Sequence, residues 1–318
     1  MKIVNLDAHT TNPGDLSWEQ FKKYGDVTIY ERTGQDQIID RAKDADVLFI
    51  NKCIITSEIL DKLPKLKYVG LQSTGYNVID CEAAKRKGIV VSNIPAYSTA
   101  AVAQLTFSFI LQFTNKVAMH NEAVHKGEWC SCPDFCFWKA PLTELDSKVF
   151  GIIGFGSIGQ RVANIANAFG MRVLVYTPHP NSEKFKNVSF VDFDTLCVEA
   201  DFISCHCPLT PQTQGIINKN AIDKMKKSAI IINTSRGPVI NESDLADALN
   251  SGRIKGAGVD VLSVEPPKKD NPLLTAKNCI ITPHIAWAAL ETRERLLSIL
   301  EDNLKAFIEG HPQNVVNM

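Results

Sequence analysis

The chain has 318 residues, 45% of them hydrophobic and 22% charged, with a formal net charge of −1. That length supports two domains with substantial cores, and the near-neutral balance argues against nucleic acid as a partner. No uninterrupted apolar run approaches membrane-spanning length, and Asp7 falls where a signal peptide would still be apolar, so a cytoplasmic chain with no membrane partner is expected.

In chain order, the first hundred residues alternate strand-like and helix-like segments. KIVNL precedes the amphipathic WEQFKKYG, VTIYE precedes QIIDRAKD, and DVLFIN precedes SEILDKL; LKYVGL then precedes IDCEAAKRKG, and IVVSNI closes the series. Such alternation predicts a parallel sheet with helices on its faces. The pattern breaks at Pro95. A long helix is predicted from Thr99 to about His125, able to bridge two domains, with Gln104, Gln112 and Asn115 interrupting its apolar side. Next comes CSCPDFCFWKAPL, residues 130–142, a loop-like segment carrying Phe135, Phe137 and Trp138. Those rings need burial, either against their own domain boundary or in a homodimer.

A second alternating series begins at Val149, with VFGIIGFG, RVLVYT, DFISCHC, AIIINTS, GAGVDVL and CIITP as strand candidates. The last helical pattern, LETRERLLSILEDNLKAFIEG, follows this series and is expected to return to the first domain. Nine cysteines include Cys130, Cys132 and Cys136 in one cluster and Cys205 and Cys207 around His206 in another. Neither has paired C-x-x-C spacing, and on a strand His206 faces away from its two neighbours. Free thiols and no metal site are the expectation.

VFGIIGFGSIGQ places Gly154-x-Gly156-x-x-Gly159 between an apolar strand and the helical QRVANIANAFG. In that context Gly154 allows the tight turn, Gly156 lets a pyrophosphate approach the backbone, and Gly159 lets helix pack on strand. The helix N-terminus then offers N–H groups to the phosphates. The next strand, RVLVYT, ends at Thr177, where an acidic residue would normally hold a ribose 2′-hydroxyl. No arginine follows, only His179, Lys184 and Lys186, so the reading favours NAD and leaves NADP open. Farther on, in NCIITPHIAW, His284 stands just past a strand end, as either a packed polar residue or a proton carrier facing a crevice.

The fingerprint GFGSIG, the segment NTSRGPVINESDLADAL, and GAGVDVLSVEPP followed by ITPHIAW together resemble the D-isomer-specific 2-hydroxyacid dehydrogenases. NPGDLSW, STGYNVID, IPAYST and PDFCFW bring the chain nearest to the glycerate dehydrogenase (hydroxypyruvate reductase) group of that family. The resemblance implies an α/β fold of two Rossmann-like, doubly wound parallel-sheet domains. Residues 1–98 plus 288–318 would form a discontinuous substrate (catalytic) domain, and residues 99–287 the dinucleotide-binding domain.

The resemblance also implies site residues. Arg236 would hold the carboxylate of a small 2-oxo or 2-hydroxy acid and polarise its carbonyl, which suits a planar, bidentate cation. His284 would serve as acid and base, with Glu265 as the carboxylate that stabilises its imidazolium. Ser157 and Ile158 fall where backbone amides meet the pyrophosphate. Thr234, Ser235 and Asp260 fall beside the nicotinamide, as do Arg236 and His284, and Pro208 follows the strand beneath the cofactor. Thr106, on the long helix, matches a further cofactor contact. The backbone N–H groups of Thr74 and Gly75 would bind the substrate carboxylate. Each of the three polar residues also has a plain structural reading: an ion pair for Arg236, a turn for Glu265, a core histidine for His284. Three such residues at strand ends beside one dinucleotide loop favour the catalytic reading.

The expected reaction is reduction of hydroxypyruvate or glyoxylate to D-glycerate or glycolate, by an NAD(P)-dependent enzyme that family likeness makes a homodimer. A D-lactate-type or other 2-hydroxyacid dehydrogenase is the nearest alternative. A non-enzymatic NAD(H)-sensing protein of the same fold is the alternative from another class.

Overall fold

Short runs of β-branched and apolar residues, each closed by a polar or glycine-containing loop, become strands whose neighbours all run parallel. The computed structural model describes residues 1–318 and contains two compact units, Met1–Ser98 with Ala288–Met318 and Thr99–Trp287. It is an α/β protein, and each unit is Rossmann-like.

In the first unit, β1 (Lys2–Asn5), β2 (Asp26–Ile29), β3 (Val47–Ile50), β4 (Tyr68–Leu71) and β5 (Val90–Ser92) form one sheet in the order β2-β1-β3-β4-β5. Every residue of β3 and β4 is buried, as strands covered on both faces require. The helices are α1 (Ile38–Ala42), α2 (Ser57–Asp61) and α3 (Cys81–Arg86). Asp80 starts α3 by accepting the Ala83 N–H at 2.9 Å, a cap worth about 1 kcal/mol. WEQFKKYG forms a six-residue 3-10 helix, Glu19–Tyr24, in place of the amphipathic α-helix its pattern suggests. Only Phe21 is buried there, so no apolar face spans the two turns a longer helix would need.

In the second unit, the predicted helix from Thr99 is two helices, α4 (Thr99–Asn115) and α5 (Val117–His125), separated by Lys116 at φ 51°. The cause is local. Thr114 bonds its hydroxyl back to the Ile110 carbonyl at 3.0 Å, while its own carbonyl accepts the Thr143 N–H at 3.2 Å. The sheet then builds from β6 (Val149–Ile153), α6 (Ser157–Ala168), β7 (Arg172–Tyr176), β8 (Ser189–Phe190), α7 (Phe193–Glu199) and β9 (Phe202–Cys205). It continues through α8 (Lys219–Ile222), β10 (Ile230–Asn233), α9 (Glu242–Asn250), β11 (Gly256–Val259) and β12 (Cys279–Ile281). The order is β12-β11-β10-β9-β6-β7-β8, so strand progression reverses between β6 and β9. On α6, Val162, Ala163 and Ala166 are buried in the core. Burying Val162 contributes about 1.5–3 kcal/mol, more than the ~0.7 kcal/mol its branched side chain can cost a helix.

The last helix, α10 (Leu290–Ile308), belongs to the first unit. It buries Leu296, Leu300 and Leu304, and its Phe307 stacks on Tyr68 of β4 at 4.7 Å. Beyond it the chain pairs with the edge strand β5: Val315 bridges Ser92 antiparallel, and the Val316 N–H donates to the Val91 carbonyl at 2.9 Å. No helix is long and apolar enough to cross a membrane.

Candidate active site

Ligands in open parallel sheets bind outside the carboxyl ends of the strands where their order reverses. In the second unit that point lies between β6 and β9. β6 is buried throughout and runs into Gly154 at φ 91°, where a Cβ would lie 2.6 Å from the Cys207 nitrogen. A Cβ on Gly159 would lie 2.3 Å from the Gly154 carbonyl oxygen, so both positions exclude a side chain. At Gly156, the N-cap of α6, a Cβ would meet nothing within 4 Å. The turn is therefore uncovered, Gly156 and Ser157 are exposed, Ile158 is half-buried, and no side chain caps the helix. An open backbone cradle at a twelve-residue helix start fits a dinucleotide's pyrophosphate.

Across the reversal point, Pro208 is exposed after β9, and the His206 N–H donates to the Ile153 carbonyl at 2.7 Å. His206 is half-buried: Nε2 lies 2.8 Å from the Ser204 hydroxyl, and burial pushes its pKa down to about 3. All nine cysteines are free. Burial pushes the Cys53, Cys197 and Cys279 thiols up to about 12, and no group of three or more His, Cys, Asp or Glu residues is arranged to hold a metal. Thr177, just past β7, is half-buried, with its hydroxyl 3.5 Å from the His179 N–H. The segment after it is pinned to the glycine turn by Phe185, which meets Phe155 edge-on at 5.0 Å, and Lys184 lies over the Phe185 ring at 5.3 Å. The sequence pattern gave no sign of this aromatic pin.

Arg236, Glu265 and His284 follow β10, β11 and β12, three adjacent parallel strands, and so share the carboxyl edge of one sheet. Arg236 is exposed, and the one hydrogen bond of its guanidinium runs from Nη1 to the Ser235 carbonyl at 2.7 Å. Its turn is built by Asn233, which sequence reasoning missed. The buried Asn233 amide accepts the Ser235 N–H at 3.0 Å and hydroxyl at 2.9 Å, and donates to the Arg236 carbonyl at 2.9 Å. An Asn at a strand end is a turn-forming signal in its own right. Thr234 is buried beside this turn, and its hydroxyl lies 3.3 Å from that of Thr106. Thr106 is fully buried on α4 and also donates to the Val102 carbonyl.

His284 Nδ1 lies 2.6 Å from Glu265 Oε2, and Glu265 Oε1 accepts the Leu262 N–H at 3.0 Å. The pair is about a third exposed, 33% and 32%, so the imidazole is both supported and reachable. A carboxylate accepting at Nδ1 keeps that nitrogen protonated and leaves Nε2 to exchange protons. His284 sits at φ 54°, a left-handed conformation that costs a non-glycine residue roughly 1–2 kcal/mol. Asp260 holds it there. Its buried carboxylate accepts the Thr282 hydroxyl at 2.6 Å and the N–H groups of Ile285 and Ala286 at 2.8 and 2.9 Å, while its carbonyl accepts the His284 N–H at 2.8 Å. Burial pushes the Asp260 pKa up, against the opposing pull of these hydrogen bonds.

In the first unit, Thr74 and Gly75 lie in the loop after β4, Thr74 exposed and Gly75 half-buried. The Thr74 hydroxyl donates to the Ile94 carbonyl at 2.7 Å, and the Ser73 hydroxyl to the Gly75 carbonyl at 2.7 Å.

Residues 107–286 match the family model described as D-isomer specific 2-hydroxyacid dehydrogenase, NAD binding domain. A hydroxypyruvate reductase from Blautia hydrogenotrophica is 50% identical, with all of both chains covered. A glycerate dehydrogenase from Methylorubrum extorquens is 36% identical, covering 99% of this chain and 98% of that one. Among solved structures, an acyclic imino acid reductase in complex with NADPH and D-Arg superposes with a TM-score of 0.85 at 34% identity, covering 99% of this chain and 100% of that one.

Proposed function

The chain belongs to the D-isomer specific 2-hydroxyacid dehydrogenases, and we propose that it reduces hydroxypyruvate or glyoxylate to D-glycerate or glycolate. It is an oxidoreductase that acts with a nicotinamide cofactor. The observation that carries the proposal is the 2.6 Å Glu265–His284 pair on the same sheet edge as Arg236, beside an uncovered glycine turn.

Gly154, Gly156 and Gly159 with the Ser157 and Ile158 amides would hold the pyrophosphate, and Thr177 would meet the adenosine ribose. Thr234, Ser235, Asp260 and Pro208 would border the nicotinamide end, with Thr106 supporting Thr234. A reduced nicotinamide held by these residues would supply the hydride for C2 of the oxo acid. Residues 1–98 and 288–318 act as the substrate domain, whose Thr74 and Gly75 N–H groups are suited to a substrate carboxylate. In the nucleotide domain, the Arg236 fork is suited to a carboxylate and to polarising the C2 carbonyl. As the alkoxide forms, His284 donates the Nε2 proton to it, and Glu265 stabilises the imidazolium until that transfer. In the oxidative direction the neutral ring takes the hydroxyl proton at the same nitrogen. NAD is the favoured cofactor and NADP is admitted, because Thr177 carries no charge to repel a 2′-phosphate.

The reading also includes a cytoplasmic homodimer. The homodimer is supported by the segment 130–142, where Phe135 is 90% and Trp138 68% exposed, two large rings that a second copy of the chain would cover. The test is oxidation of NADH and of NADPH against hydroxypyruvate, glyoxylate, pyruvate and phosphohydroxypyruvate. Turnover with either of the first two supports the assignment. Turnover confined to pyruvate or phosphohydroxypyruvate overturns the substrate, and none at all overturns the enzyme reading.

A further inference from the structure

On α10, Leu296, Leu300, Leu304 and Phe307 recur along one face, and Asn303 interrupts that stripe with 0% exposure. Burying an amide where leucine would pack is costly unless its polar atoms are bonded. Both are: Nδ2 donates to the Asn93 carbonyl at 2.9 Å, and Oδ1 accepts from Asn314 Nδ2 at 2.8 Å. The Asn93 N–H in turn donates to the Asn314 carbonyl at 3.0 Å. The C-terminal helix and tail therefore grip the backbone of Asn93 from both sides.

Asn93 passes this grip on. Its Nδ2 donates to the Thr74 carbonyl at 2.7 Å, and the next residue, Ile94, donates its N–H to the Ser73 carbonyl at 3.0 Å. In a planar trans peptide the C=O and the following N–H point in opposite directions. Anchoring the Ser73 and Thr74 carbonyls therefore aims the Thr74 and Gly75 N–H groups the other way, and neither N–H has a partner within the chain. Two adjacent, unpaired N–H groups make a receptor for an anion.

We propose that Asn303 is a positioning residue for the substrate carboxylate, acting through Asn93 to set the direction of the Thr74 and Gly75 N–H groups. The proposal rests on the reading that those two amides bind the carboxylate. Asn303→Leu keeps the branched shape of the side chain and removes the relay. In the full-length enzyme it should raise the KM for hydroxypyruvate about five- to tenfold, the effect of one neutral hydrogen bond, while kcat and the NADH Kd stay within about twofold. Asn314→Ala, at the far end of the relay, should raise KM in the same sense by a smaller factor, and serves if Asn303→Leu does not fold. Asn93→Ala, which removes the bond to Thr74 directly, separates the two ideas. A raised KM in Asn93→Ala with unchanged KM in Asn303→Leu and Asn314→Ala overturns the relay alone. Unchanged KM in all three overturns the carboxylate loop as well. A lowered Tm with KM, kcat and NADH affinity all altered together in Asn303→Leu would mark a purely structural residue and also overturn the relay.

Discussion

Glu265 and His284 stand 19 residues apart in the chain and 2.6 Å apart in the structure, Oε2 to Nδ1. The carboxylate holds the ring through Nδ1 and leaves Nε2 for proton transfer during reduction. Glu265→Gln removes that charge while keeping the shape. The kcat for reduction should fall about tenfold or more, with NADH affinity unchanged. An unchanged kcat would make Glu265 a turn residue only.

Replacing His284 with Ala should lower kcat for reduction by about 10²- to 10⁴-fold, the usual worth of a positioned acid. NADH binding, followed by fluorescence, should stay within about twofold, because the glycine turn lies on other strands. Arg236→Lys should also be severe, since a point charge cannot replace a bidentate fork. Near-normal kcat in His284→Ala would remove the histidine from the reaction.

His206 supplies a prediction about stability. Its pKa is lowered from 6.5 to about 3 by burial, so below pH 6.5 the unfolded chain binds a proton that the folded chain refuses. Stability is then fully present above pH 6.5 and declines as pH falls toward 3. The slope is at most about 1.4 kcal/mol per pH unit, and less because the residue is only half-buried. His206→Gln should flatten that part of the stability–pH curve. Urea denaturation at pH 7 and pH 5 measures it, and equal slopes in both proteins would show that the histidine titrates freely.

Thr177→Asp should strengthen preference for NADH over NADPH. A carboxylate at the end of β7 accepts from a ribose 2′-hydroxyl and repels a 2′-phosphate. The measure is the ratio of kcat/KM for the two cofactors; an unmoved ratio would place the ribose elsewhere.

Phe135→Ala combined with Trp138→Ala should weaken the homodimer and raise the substrate KM, if these exposed rings form an arm on a second copy. Sedimentation of both proteins at micromolar concentration decides it. A monomeric wild type, or a fully dimeric double variant with unchanged KM, would return the segment to a surface loop.

Much of this molecule was written in local periodicity. Alternating apolar runs specify parallel strands, and the positions of Gly154, Arg236, Glu265 and His284 just beyond strand-like segments put each near a sheet edge, because strand length and turn chemistry are properties of neighbouring residues. What short-range pattern did not carry is which distant groups hold those residues still. Asn233 shaping the Arg236 turn had a readable cue in its own residue type. Asp260 reaching Ile285 and Ala286, Phe185 resting on Phe155, and the asparagines joining α10 to the loop at Thr74 had none. The break at Lys116 also depends on Thr143, far along the chain. Each of these depends on which segments become neighbours, and that is set by the packing of whole sheets and helices, where buried polar atoms find partners that sequence separation does not reveal.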